Sequence, residues 1–208
     1  MARRKSWWRG PGLRIAVFVV GVAPAGLLLL DGLRGSLGAN PIETLQHTTG
    51  DWSLRFVLAA LAVTPLRRLF GWGFLAPHRR TLGLFAFFYV CLHLGTYVGL
   101  DLFFDWSVIA EDIFKRPYIT AGFTGFLCML PLAITSTRGW QRRLGRRWVQ
   151  LHRLAYVAGI AGSVHYLWLT KADLLSPLVY TVILATLLGT RLWFRYARRT
   201  TRPARSLS

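Results

Sequence analysis

The sequence predicts an all-α integral membrane protein, a bundle of six transmembrane helices with both termini cytoplasmic, and three observations predict it. The 208 residues are 53% hydrophobic and only 16% charged, against roughly 25% charged in a typical soluble domain. Mean hydropathy is +0.39. Apolar runs of about 20 residues, long enough to cross about 30 Å of hydrocarbon, alternate with clusters of arginine. A formal net charge of +18 and a pI near 11.5 would suit a nucleic-acid binder, but that alternation assigns the charge to membrane topology instead, and nucleic acid is not an expected partner.

Hydropathy places the helices at 14–31, 52–66, 82–100, 118–136, 150–169 and 177–195. The first follows Arg3, Arg4, Lys5 and Arg9 as a signal peptide would, but the run from Ile15 to Leu30 is long for an h-region, so an uncleaved span is expected. Pro65 closes the second span. Pro117 and Pro177 stand where a first helical turn tolerates proline, opening the fourth and sixth. Pro131, inside the fourth, should kink it. The resulting organisation is a cytoplasmic N-terminus at 1–13, a membrane domain at 14–195 and a basic cytoplasmic tail at 196–208 that lies on anionic headgroups. No connection is long enough for a soluble domain. Cys91 and Cys128 both lie in apolar runs, with no CxxCH motif or disulfide framework, and read as small core residues.

Charge fixes the expected orientation, because lysine and arginine beside spans stay on the cytoplasmic side. The segments 1–14, 67–80, 137–153 and 191–208 hold 21 of the 26 basic residues. The other five (Arg34, Arg55, Lys115, Arg116 and Lys171) fall outside with all eight acids, giving +21 inside and −3 outside.

Of the five histidines, His47 and His78 fall in connections, His93 and His165 within spans, and His152 near the start of the fifth. An imidazole in hydrocarbon needs a partner. A lone one could simply hydrogen-bond a neighbouring helix, but two or three on adjacent spans favour a metal or heme. His93 lies about 12 residues into an outward-running helix and His165 about 15 residues beyond Gln150, so at 1.5 Å per residue they stand roughly 18 and 22 Å up. That near-level placement lets the third and fifth helices supply both axial ligands of one heme in the outer half of the bilayer. His152 lies about 20 Å below His165, a useful electron-transfer step, although on one ideal helix the two would point about 140° apart. A bend at Gly159 and Gly162, or a different neighbour for the lower ligand, would resolve this. His78 is the one inner-side candidate for a fourth ligand, but Pro77, Arg79 and Arg80 around it read as an interfacial loop with a solvated histidine. His47 stands outside, before the second span, where it could touch the heme edge or a partner, or cap a helix.

Arg79, Arg80, Arg147 and Arg153 are weak candidates for pairing with heme propionates or a flavin phosphate, since topology alone explains most such arginines. Trp52, Trp106, Trp148, Tyr166 and Trp168 read chiefly as interfacial aromatics. The chain carries no Walker loop, no GxGxxG at a strand-to-helix turn and no nucleophile with an adjacent base. The expected spans hold no interior Asp or Glu, which disfavours a proton-coupled transporter.

These segments resemble the MsrQ family, the heme-binding membrane subunits of bacterial periplasmic methionine sulfoxide reductase systems, within the ferric-reductase-like transmembrane superfamily. The resemblance runs along nearly the whole chain through Gln46-His47 with Thr49-Gly50, Arg79-Arg80-Thr81-Leu82-Gly83-Leu84 with Leu92-His93-Leu94, Arg116-Pro117-Tyr118, Thr135-Ser136-Thr137, Gln141-Arg142-Arg143-Leu144-Gly145-Arg146-Arg147-Trp148, Gln150-Leu151-His152 and His165-Tyr166-Leu167-Trp168. It implies b-type heme, one or two, on His93, His152 and His165, with His78 outside the ligand pattern, and an association with FMN. It also implies a multi-pass protein of the bacterial inner membrane that feeds a periplasmic molybdopterin enzyme reducing methionine sulfoxide, a repair of oxidised envelope proteins. Unlike larger ferric reductases, the chain has no attached flavin and nicotinamide domain, so the donor is a cytosolic flavin reductase or the quinone pool.

The expectation is therefore an electron-transfer subunit with no catalytic centre of its own, carrying electrons from the basic face past His152 to the His93 and His165 heme. The alternatives are a standalone cytochrome b reducing ferric iron or quinone, and a heme-free transporter or assembly factor whose histidines only join helices.

Overall fold

The computed structural model describes residues 11–170 and 173–200, and among these every regular element is helical. Most of the expected N-terminal segment 1–13, Lys171 and most of the tail 196–208 lie outside the described residues. The order is α1 (Pro11–Leu33), α2 (Pro41–Leu69), a 3₁₀ helix Gly73–His78 leading into α3 (Arg79–Gly95), a π-helical turn Thr96–Asp101, α4 (Trp106–Lys115), α5 (Pro117–Ile134), two short helices α6 (Arg138–Leu144) and α7 (Arg146–Leu151), α8 (Leu154–Leu169) and α9 (Leu175–Thr200). Four helices are long and apolar enough to cross a membrane: Pro11–Leu33, Gly73–Asp101, Pro117–Ile134 and Leu175–Ala197. Several such helices in one chain make this a multi-pass membrane protein.

The two remaining long helices, α2 and α8, are the inner ones. Leu54, Phe56, Val57, Leu58, Leu61 and Val63 of α2 are all buried, so the middle of α2 packs against protein around most of its circumference, while Arg55 is exposed. Phe56 stacks at 5.5 Å on both Phe85 and Tyr89 of α3. Helix α8 has 16 residues, about 24 Å at 1.5 Å per residue. It packs closely because its contacts are small: a Cβ on Gly125 of α5 would lie 3.6 Å from the Ala158 carbonyl, and one on Gly159 3.3 Å from Leu184 and 3.5 Å from Leu61. Gly159 and Gly162 thus serve close helix packing.

Several boundaries differ from the sequence reading for identifiable reasons. Helix α2 begins at Pro41 rather than 52, because Asn40 caps it: its side-chain oxygen accepts from the Glu43 N–H at 3.3 Å and its amide donates to the Glu43 carboxylate at 2.9 Å. His47 is therefore helical, and Asp51, expected in the connection before the second span, lies well within α2. Pro65 does not end the helix, which continues to Leu69. A proline leaves the carbonyl four residues earlier without its helical donor, and here the Arg191 guanidinium of α9 donates to the Leu61 carbonyl instead. Beside Pro24 in α1 the ladder is opened in a different way: the buried Tyr89 hydroxyl is inserted between an i,i+4 pair, donating to the Gly21 carbonyl at 2.8 Å and accepting from the Ala25 N–H at 3.0 Å. Pro117 and Pro177 do stand in first helical turns, and Pro131 lies inside α5 near its end.

Candidate functional site

His93 reaches inward from α3 and His165 from α8, and their rings face each other with centroids 6.1 Å apart and planes at 79°. Each ring is anchored on its far nitrogen. His93 Nδ1–H donates to the Gln46 carbonyl of α2 at 2.9 Å, and His165 Nδ1–H donates to the Tyr118 carbonyl of α5 at 2.7 Å. A carbonyl only accepts, so each hydrogen bond places the proton on Nδ1 and leaves Nε2 with its lone pair. Metal-ligating histidines are held in this way, with the non-ligating N–H given to a backbone carbonyl or carboxylate. The spacing also suits a metal: an imidazole nitrogen lies about 1 Å from its ring centre and metal–imidazole bonds are about 2 Å, so two rings on one metal stand about 6 Å apart. The donor set therefore fits one heme iron held between His93 and His165. The two lie near level, as the helical arithmetic predicted, at the end of the bundle where Gln46 also bonds Asp101 at 3.0 Å.

The opposite end is basic. A cavity of about 1430 Å³ opens there, lined by His78, His152 and Trp148 and by Arg14, Arg79, Arg80, Arg138, Arg153 and Arg195, larger than the 300–1,000 Å³ typical of small-molecule sites. The arginines that topology gathers on one side converge on one volume, which favours an anionic occupant. His152 lies in the turn between α7 and α8, outside both, so the 140° separation expected on a continuous helix does not arise. Its ring stacks on Trp148 at 3.8 Å, its Nδ1–H donates to the Trp148 carbonyl at 3.1 Å, and Trp148 Nε1 donates in turn to the Thr135 carbonyl at the end of α5 at 2.9 Å. His78 departs from the sequence reading. It is 6% exposed, not solvated, because the Pro77 segment folds as a 3₁₀ helix continuous with α3 and packs the ring into the cavity wall.

Two expected residues join neither cluster. His47 is exposed on α2, 3.7 Å from Glu43 one turn earlier. Arg147 is exposed on α7 and does not line the cavity. The sequence reading missed an ion pair beside the histidine site: Arg55 holds Asp51 at 3.1 Å, donates to the Tyr180 hydroxyl at 2.7 Å and lies over the Trp52 ring at 4.8 Å. The i,i+4 spacing of Asp51 and Arg55 was the available signal. Among the described residues no cluster of three or more His, Cys, Asp or Glu could hold a metal ion.

Residues 49–163 match the family described as the ferric reductase like transmembrane component, a stretch that contains His93 and His152. The chain is 55% identical over 183 residues to the protein-methionine-sulfoxide reductase heme-binding subunit MsrQ of Rhodospirillum rubrum, covering 86% of each chain. It is 47% identical over 196 residues to the MsrQ subunit of Xanthomonas euvesicatoria, covering 91% of this chain and 90% of that one. It is also 53% identical over 167 residues to that of Xanthomonas campestris, covering 80% and 77%. No solved structure matches the chain.

Proposed function

The chain belongs to the MsrQ family of protein-methionine-sulfoxide reductase heme-binding subunits, and from that premise we propose that it is the membrane electron conduit of such a system. The observation that carries the proposal is the His93 and His165 pair, two half-buried imidazoles 6.1 Å apart with each Nδ1 committed to a backbone carbonyl. Bound heme b supplies one-electron redox chemistry at that site. The protein supplies two neutral nitrogen ligands and fixes their orientation through the Gln46 and Tyr118 carbonyls.

The basic cavity is the entrance. Its arginines favour an anionic planar group, FMN or a second heme, beside His152, with His78 in the same wall. The donor is a cytosolic flavin reductase or quinol, and the acceptor a periplasmic molybdopterin methionine sulfoxide reductase. The charge asymmetry supports an orientation with the basic end on the cytoplasmic side of the bacterial inner membrane, α2 and α8 making up six spans in this reading. The chain itself has no catalytic centre in this reading.

The experiment is to reduce the purified full-length protein with dithionite and add the periplasmic sulfoxide reductase with methionine sulfoxide. Rapid reoxidation of the heme bands is expected. Indifference to that enzyme, with fast oxidation by ferric chelates or quinone, would instead make the chain a standalone cytochrome b.

A further inference from the structure

The two histidine seats are built alike. In each, the carbonyl that accepts from Nδ1 lies four residues before a glycine on the same helix: Gln46 before Gly50 on α2, and Tyr118 before Gly122 on α5. In an α-helix the N–H of residue i+4 points at the carbonyl of residue i, so each ring lies across one helical turn with the glycine beneath it.

A Cβ at Gly50 would lie 3.2 Å from His93 Nδ1 and 3.3 Å from its Cε1, and one at Gly122 would lie 2.8 Å from His165 Nδ1 and 3.1 Å from its Cε1. Optimal contacts between carbon atoms are about 3.5–4.0 Å, so an alanine methyl and the ring cannot both keep their places at Gly122, and at Gly50 the ring must give. General helix packing does not account for this. The nearest atoms to a Cβ at Gly125 are the Ala158 carbonyl and the Ala161 methyl, and at Gly159 aliphatic side chains, whereas at Gly50 and Gly122 all three belong to the histidine ring. Gly83 and Gly95, on the helix that carries His93, meet nothing within 4 Å.

We propose that Gly50 and Gly122 are positioning residues for the two heme ligands: lacking a Cβ, each lets the imidazole lie against a helical turn, where Nδ1–H reaches the carbonyl and Nε2 is presented to the iron. The inference rests on the reading of His93 and His165 as axial ligands. Moving a ring off its seat breaks the Nδ1 hydrogen bond, loosens the tautomer and tilts the ligating nitrogen, and loss of such outer-shell support typically weakens metal binding about 10–100-fold.

The test uses full-length wild type, Gly50→Ala, Gly122→Ala and the controls Gly95→Ala and Gly189→Ala, the latter on α9 with nothing within 4 Å of its added Cβ, each checked for monodispersity in detergent. The readouts are heme affinity, the Soret and low-spin EPR signals, and the heme midpoint potential. Gly122→Ala should bind heme about 10–100-fold more weakly with altered low-spin signals. Gly50→Ala should show a smaller change of the same kind, and both controls should match wild type. Should Gly122→Ala fail to fold, Gly50→Ala carries the test, because its ring need move only a few tenths of an ångström. Wild-type affinity, spectrum and potential in Gly50→Ala and in any folded Gly122→Ala would overturn the proposal, as would an equal effect in the controls. If His93→Ala and His165→Ala also keep wild-type heme, the ligand reading has failed; if they lose it while the glycine variants do not, only the positioning role has.

Discussion

The rings of His93 and His165 stand 6.1 Å apart at their centroids, nearly perpendicular, each tied by Nδ1 to the carbonyl of a helix that carries neither histidine. Four helices thus meet at one point: α3 and α8 bring the histidines, and α2 and α5 hold them. Because the anchoring groups are backbone carbonyls of packed helices, the two rings are held by the bundle itself and not by mobile side chains.

Removing the Tyr89 hydroxyl should cost stability without touching the heme site. That hydroxyl bridges the Gly21 carbonyl and the Ala25 N–H beside Pro24, and Tyr89 is 0% exposed. Tyr89→Phe should destabilise the protein by about 1–3 kcal/mol, read as a lower unfolding temperature in detergent with an unchanged Soret band. An unchanged unfolding temperature would mean that the ladder of α1 recloses on its own.

Arg191 should matter for the last turn of α2. Its guanidinium serves the Leu61 carbonyl that Pro65 orphans and binds the Tyr156 hydroxyl at 2.5 Å. Arg191→Met should destabilise by about 1–3 kcal/mol. Pairing it with Pro65→Ala, which restores the helical donor, should recover part of the loss, a coupling that a double-mutant cycle measures directly. Strict additivity would contradict the assignment.

Charge removal in the basic cavity should affect its ligand alone. Arg79→Gln with Arg153→Gln should lower the flavin or second heme retained per chain after purification, while the bands of the His93 and His165 site stay as in wild type. Full retention of flavin and total heme would place the anionic ligand elsewhere.

Much of this was legible in the sequence. The helical class, the near-level His93 and His165, and the gathering of arginines at one end all follow from spacing and charge. What was missed has common causes. Hydropathy finds apolar runs, so the start of α2, which carries Glu43, Gln46, His47 and Asp51, was invisible to it, although Asn40-Pro41-Ile42-Glu43 is a readable capping signal. Pro65 reads as a terminator because the sequence cannot show that Arg191, on another helix, replaces the missing donor. His152 was treated as part of a continuous helix, but α7 and α8 are separate, and Gly145 with φ 50° begins the broken stretch. His78 looked solvated because its neighbours are charged, while its burial depends on how the 3₁₀ segment packs.

The most direct test of the central claim is heme per chain, with visible and EPR spectra, in wild type, His93→Ala, His165→Ala and His47→Ala. Wild type should show a low-spin Soret spectrum, His93→Ala and His165→Ala should each lose one heme equivalent, and His47→Ala should lose none. A wild-type protein without a Soret band, or unchanged heme in both His93→Ala and His165→Ala, would contradict the account.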